Sequence, residues 1–260
     1  MKLGVAISCF KAYRDVALNV EIIRKLWSSH NDSYISVCCN HPETLETITE
    51  LDVDRAVAGS DLPFDNKLQL RHRQVDCWQR SNQAAVNNAD YVIHFHADAH
   101  ALRVEPILEI IEEMERRECW IAGRGRGLSY RSEKATQGDV DDHFFISNTM
   151  ESARNKLWEV KPGNILISGT SETFLSFSIR EQLGEKRFYF YSDMSECMVD
   201  IDKVEKDPFY HDNVRHRQLN PFNYDSERAF LHTRYWDIKR KFMEEEYRQR
   251  FAEIAHLWPD

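Results

Sequence analysis

The stretch Tyr91–His100, YVIHFHADAH, decides how this chain is read. Its first six residues are aromatic or β-branched residues interleaved with histidine, the composition of a buried strand. The run ends on a carboxylate, Asp98, set among small residues and followed by His100. A buried strand finishing in Asp98 and His100 carries both to one edge of a sheet. Two residues apart on an extended chain, they share a face. A carboxylate and an imidazole on one face suit Mn²⁺, or Mg²⁺ where the carboxylate dominates. A plainer reading is open for the same residues: His94 and His96 as strand histidines with partners, and Asp98 as the cap of the following turn.

Upstream, Gly4–Phe10 and Tyr34–Cys39 are short apolar runs of strand type, and Val53–Ala58 is a third candidate. Tyr13–Ser28 carries Val16, Leu18, Ile22, Ile23 and Leu26 at helical spacing, and Lys67–Asn87 carries Leu70, Val75, Trp78, Ala84 and Ala85. Downstream, Val104–Arg117 is amphipathic, with Ile107, Leu108, Ile110, Ile111 and Met114 on one face, and a strand over 120–122 follows. Apolar strands alternating with such helices predict an α/β fold with a mostly parallel central sheet covered on both faces. In such sheets ligands bind outside the carboxyl ends of the strands. The positions of interest are therefore Phe10–Arg14, Asn40–His41 and Asp98–His100. Beyond them the reading is a polar, Gly-rich loop over 123–142, a strand over 144–148 and a helix over 149–158. A helix over 171–182, a strand over 188–191, a long loop over 203–225 and an outer helix over 235–258 follow.

The chain has 260 residues, which suits one α/β domain with appendages: an α/β half over 1–122, a second half over 123–234 and the terminal helix over 235–260. Its net charge of -9 argues against a nucleic-acid binder, which needs a basic face. None of its 6 cysteines forms a CxxC pair, and most sit in apolar runs, as buried free thiols do in a reducing compartment. The N-terminal run is broken too soon, by Lys11 and Arg14, for a signal peptide. No apolar run reaches the roughly 18–20 residues of a membrane span. These features lead to an expected cytoplasmic location, with peripheral membrane contact left open.

Arg80–His100, with an Arg and Asn on a helix, then Asp90, then the strand, resembles the GT-A glycosyltransferases, family-2-like nucleotide-diphospho-sugar transferases. In that family the strand ends in Asp-x-Asp. Here His96-Ala97-Asp98 stands at that position, so Asp98 matches the Asp that holds the metal on the sugar-nucleotide diphosphate and His96 replaces the first Asp. Ala6–Arg14 is similar to the family's first strand and loop, which implies that Ser8, Tyr13 and Arg14 meet the nucleotide. Asn40 stands where the family often has an acidic base-reading residue, and Arg80 opens the motif. The likeness runs over about residues 3–122.

Downstream, Asp142, Phe144, Phe145, Asn148 and then Glu172 look similar to a pattern of lipopolysaccharide-type transferases, which implies Asp142 or Glu172 as the base that deprotonates the acceptor. For each a plain structural role is open, as a loop carboxylate and as a helix N-terminal charge. A C-terminal His often completes the family's metal shell, and His232 is the best match, with His100 as an extra ligand. Arg124 and Arg126 of the GRGRG segment stand near enough in sequence to reach the donor. The resemblance implies a metal-dependent transfer, with Mn²⁺ or Mg²⁺, from a nucleotide-diphosphate sugar to a growing surface glycan or a small-molecule acceptor. A nucleotidyltransferase and a catalytically degenerate nucleotide-sugar-binding module are the alternatives. The former usually has a Gly-rich loop after the first strand, and Phe10–Arg14 contains no Gly.

Overall fold

The first strand, β1 (Leu3–Cys9), alternates large side chains on one face with Gly4, Ala6 and Ser8 on the other, and nearly all are buried. Both faces must therefore be covered, and in the computed structural model they are. The structure describes residues 1–61, 67–126, 139–154, 187–193, 222–224, 227–232, 236, 239–240, 243–244 and 252–257. After β1 come α1 (Tyr13–Glu21), β2 (Tyr34–Cys39), α2 (Pro42–Ile48), β3 (Arg55–Ala58), α3 (Lys67–Val86) and β4 (Tyr91–His96). β5 (Ala99–Ala101), α4 (Glu105–Arg116), β6 (Ile121–Arg126), β7 (Asp139–Asn148) and α5 (Thr149–Arg154) follow. The last strands are β8 (Phe188–Asp193), β9 (Phe222–Tyr224) and β10 (Glu227–His232).

Seven strands form one sheet in the order β3-β2-β1-β4-β7-β6-β8, and β5-β10-β9 form a small second sheet. The main sheet is mostly parallel: β1 runs with β2 and β4, β2 with β3, and β6 with β8. Only β7 runs against its two neighbours. This is the α/β architecture expected, with helices flanking a mostly parallel sheet.

On one face Val5, Ile7, Val37, Ile93 and Phe95 pack with α1, with Trp27 and with Ile107, Ile110 and Met114 of α4; Met243 and Ile254 join the same core. On the other face α3 lies close to the sheet, its Ala85 against Ala6 and Val92. That approach needs a residue without Cβ: a methyl on Gly4 would come within 2.9 Å of the Ala89 Cβ. Polar cross-links hold the same layer, the Ser36 hydroxyl donating to the Ser81 carbonyl at 2.6 Å.

Several expectations are corrected. The helix begun at Tyr13 changes to a π-type turn over Ile22–Leu26, where the Trp27 amide reaches back to the Ile22 carbonyl and its indole donates to Ala101. The Gly-rich segment expected to be a loop continues as strand to Arg126, between β7 and β8, with its register shifted at Gly123–Gly125. Glycine inside a strand commonly marks such a bulge. β7 starts at Asp139 rather than Phe144, because β6 offers it a ladder over those residues. Within the stretch expected to be a long loop, Phe222–Tyr224 is strand, paired to β10. The short helix α2, opened by Pro42 and capped by the His41 side chain, was not anticipated. The helix expected over 171–182 lies outside the described residues, as do residues 155–158. Among the described residues, no helix is long and apolar enough to cross a membrane.

Candidate functional site

β1, β2 and β4 are adjacent and parallel, so their carboxyl ends open on one side of the sheet. A cavity of about 440 Å³ lies there, floored by Ser8, Cys9 and Ala97 and closed at the side by α3. Its size suits a small-molecule ligand. Five residues expected to meet the nucleotide line it together: Ser8, Asn40, His96, Ala97 and Asp98. The β1–β4 ladder explains this convergence. Ser8 is the register partner of His96, and the Ala97 amide donates to the Ser8 carbonyl at 3.0 Å, which carries the pairing one residue past β4.

The three histidines of YVIHFHADAH have different surroundings. His94 is fully buried, stacked on Phe145 with centroids 4.5 Å apart and with Nδ1 3.1 Å from the Asn82 amide nitrogen. His96 is half-buried and lines the cavity; its Nε2 accepts from the Trp78 indole at 3.2 Å, so the proton of a neutral ring sits on Nδ1. His100 is buried, its Nδ1 2.9 Å from Asn19 Oδ1 and its Nε2 3.7 Å from Asp15 Oδ1. Burial holds its pKa down at about 4, against a smaller opposing effect of the Asp98 carboxylate. Its ring points to α1, and it is not among the residues that line the cavity. Of the three residues expected to hold a metal, Asp98 alone is among the described residues that line the cavity. The β10 main chain brings His232 opposite Ala99, one residue from Asp98.

The other expected residues separate. Tyr13 and Arg14 line a different cavity, of about 500 Å³, on the outer side of α1, and Arg14 lies 6.0 Å from the Trp236 ring. Arg80 is exposed and ion-paired at 2.8 Å with Asp76, one turn away on α3. Asp142 belongs to β7, whose Phe144 pairs with Phe95, so its main chain runs past the carboxyl end of β4. Asn148 pairs with Tyr91 at the opposite end of the sheet and caps α5, its Oδ1 accepting from the Glu151 amide at 3.1 Å. The linear pattern Asp142–Asn148 therefore spans the sheet and does not converge on one site. Glu172 lies outside the described residues, as do Gly127 and the side chains of Arg124 and Arg126.

Residues that the motif reading passed over complete the cavity. Arg73 of α3 is buried, and its guanidinium donates to the Asn40 carbonyl, while the Asn40 amide donates back to the Arg73 carbonyl at 3.0 Å. Arg73 and Lys11 flank the exposed Phe10 ring at 5.9 and 5.4 Å, and Leu70 adds a second exposed apolar side chain. Arg73 is seven residues before Arg80, two helical turns along one face, which is a signal that could have been followed from sequence. Asn40 is seated tightly: a Cβ on Gly59 would fall 1.8 Å from its Oδ1. Cys9 and Cys77 also line the cavity, and the described cysteines are all free thiols. Burial pushes the Cys77 thiol up, and the hydrogen bond of Cys9 with Cys39, followed by burial, pushes the Cys9 thiol up. These two are poor thiolates for nucleophilic work.

Among the described residues no group of three His, Cys, Asp or Glu could by itself hold a metal ion. One cavity carboxylate suits a different mode, in which a hard cation takes one or two carboxylates and completes its shell with substrate phosphates and water.

No family model matches the chain, and no curated protein matches it in sequence. Solved structures match in fold. An active-site mutant of LgtC aligns over 96% of this chain and 100% of its own, at 12% identity and a TM-score of 0.51. The glycosyltransferase GlyE of Streptococcus pneumoniae TIGR4 aligns over 100% of this chain and 62% of its own, at 12% identity and a TM-score of 0.48. CMP:2-keto-3-deoxy-manno-octonic acid synthetase, in complex with CTP, aligns over 74% of this chain and 90% of its own, at 8% and 0.45. Together with the sheet order, the LgtC likeness shows that the chain has a GT-A-like α/β fold.

Proposed function

We propose that the protein is a glycosyltransferase that takes a sugar from a nucleoside diphosphate sugar with the help of a divalent cation, Mn²⁺ or Mg²⁺, and passes it to a glycan or small-molecule acceptor. The observation that carries this reading is the meeting of Asp98 with Phe10 and Arg73 in one cavity at the carboxyl ends of β1, β2 and β4. Phe10 and Leu70 offer apolar surface to a base. Arg73 and Lys11 offer positive charge to a diphosphate inside an acidic protein.

In this reading Asp98 would hold the cation, with His232 of β10 as the second protein residue to hold it, beside the donor's diphosphate. The cation would offset charge on the leaving diphosphate. His96, held through Nε2 by the Trp78 indole, donates from Nδ1 to the donor. Asp142 or Glu172 takes the proton of the acceptor hydroxyl. His100 supports the turn around Asp98 from inside.

Thermal-shift titration with UDP, GDP, ADP and CDP, each with and without Mn²⁺, tests the reading. A ligand that binds only the native state raises its melting temperature by mass action. One diphosphate is expected to stabilise the protein in a Mn²⁺-dependent way, and Asp98→Ala is expected to remove the Mn²⁺-dependent part. If no diphosphate stabilises the protein, or if Asp98→Ala leaves the Mn²⁺ effect intact, the proposal fails. Release of nucleoside diphosphate rather than pyrophosphate on turnover separates it from nucleotidyl transfer.

A further inference from the structure

A buried amide in the middle of a helix is costly unless its hydrogen bonds are met. Asn19, in α1, is 1% exposed and meets them on a single segment of chain. Its Nδ2 donates to the Ala97 carbonyl at 2.9 Å, and its Oδ1 stands 2.9 Å from His100 Nδ1. These partners lie on either side of Asp98. A carbonyl can only accept, so the orientation of the amide is fixed, and Oδ1 must face the ring. His100 therefore carries its proton on Nδ1 and donates it to Asn19. From the β1 side, the Ala97 amide donates to the Ser8 carbonyl at 3.0 Å. Asp15, one turn earlier in α1, faces the other ring nitrogen of His100 and is engaged by the buried Lys239 of the C-terminal segment.

We propose that Asn19 is a positioning residue for the cation: one amide clamps both the main chain before Asp98 and the ring after it, and so sets the direction of the Asp98 carboxylate. The inference rests on the reading of Asp98 as the cation ligand. Loosening the turn shifts the carboxylate that the turn carries, so the change is felt in metal affinity. Groups that orient metal ligands typically carry about 10–100-fold in affinity.

The test is a Mn²⁺ titration followed by electron paramagnetic resonance, run with UDP, GDP, ADP or CDP, whichever gives the largest thermal shift. It compares the native chain, Asn19→Leu, which keeps the volume and removes the amide, and Asp98→Ala. Binding of the corresponding nucleoside monophosphate without Mn²⁺ is measured beside it. Asn19→Leu is expected to weaken Mn²⁺ about 10–100-fold while monophosphate binding stays within about twofold, a split that general loosening of the fold would not produce. If Asn19→Leu does not fold, Asn19→Asp is read in the same way, since it keeps the acceptor toward His100 and sets a carboxylate against the Ala97 carbonyl. Should the Asn19 variant bind Mn²⁺ within about twofold of the native chain while Asp98→Ala loses it, this inference is overturned alone. Equal weakening of Mn²⁺ and monophosphate also overturns it. Should Asp98→Ala bind Mn²⁺ normally, it is the function reading that fails.

Discussion

Acid should destabilise this protein through His100 in a way that can be sized. Burial lowers the pKa of the ring from 6.5 to about 4 in the native state, while in the unfolded chain it keeps the ordinary value. Between those values the unfolded state binds a proton that the native state does not, so stability falls as pH falls through that window. The contribution is fully present above about pH 6.5. A tenfold difference in proton affinity between the two states is worth about 1.36 kcal/mol, so roughly 3 kcal/mol is lost by pH 4. The nearby Asp15 does not rescue the charged ring, because Lys239 already engages that carboxylate. Urea unfolding at several pH values between 7.5 and 4, on the native chain and on His100→Gln, isolates the effect, since other titrating groups cancel in the difference. The variant has a constant deficit from its lost bond to Asn19. That deficit should shrink steadily below pH 6.5, by roughly 3 kcal/mol at pH 4. A deficit independent of pH would refute the argument, because it would mean that the ring takes up its proton in the native state as readily as in the unfolded one.

Three further outcomes are expected. Gly4→Ala should lose about 1–3 kcal/mol of stability in chemical denaturation, because the methyl meets the Ala89 Cβ at 2.9 Å, just past the end of α3, and the Ala85 Cβ of α3 at 3.4 Å. Trp27→Phe should cost a similar amount, about 1–3 kcal/mol, by leaving the buried Ala101 carbonyl without the indole that now donates at 2.9 Å, and the loss should appear in the same assay. Gly59→Ala should raise the dissociation constant of the stabilising nucleoside diphosphate about tenfold or more in calorimetry, since the methyl displaces the Asn40 side chain from the cavity wall, whereas Arg80→Ala, on an exposed ion pair, should leave it within about twofold.

Through α4 the order of the elements was legible apart from α2 and β5, because the central strands β1, β2 and β4, buried on both faces, leave unbroken apolar runs and the helices α1, α3 and α4 show an apolar side. The small second sheet was not legible. β5 is three residues long and short of hydrophobic signal, and it exists because β10 pairs with it from more than a hundred residues away. The same non-local pairing turned the Gly-rich segment into strand, since β7 and β8 supply ladder partners that no window of sequence reveals. At the site, Asn40 and Asp98, expected from their place after a strand, and Ser8 and His96, expected from the resemblance, all line the one cavity. Tyr13 and Arg14, also after β1, belong to α1 and line the other cavity.

His100 shows where a linear motif misleads. Alternation along an extended chain puts residues 98 and 100 on one face, and that step assumed that the strand continues. Instead β4 ends at His96 and a turn at Ala97–Asp98 intervenes before β5. The turn leaves Asp98 at the cavity wall and brings the His100 ring back under α1, to the amide of Asn19. The residue that reads as a spare ligand is thus tied to the scaffold of the proposed ligand beside it. The residue that ties it, Asn19, is invisible to any motif because it sits in a helix nearly eighty positions away. A strand end can announce a carboxylate from sequence; what aims the carboxylate is written on the element that packs beneath the turn.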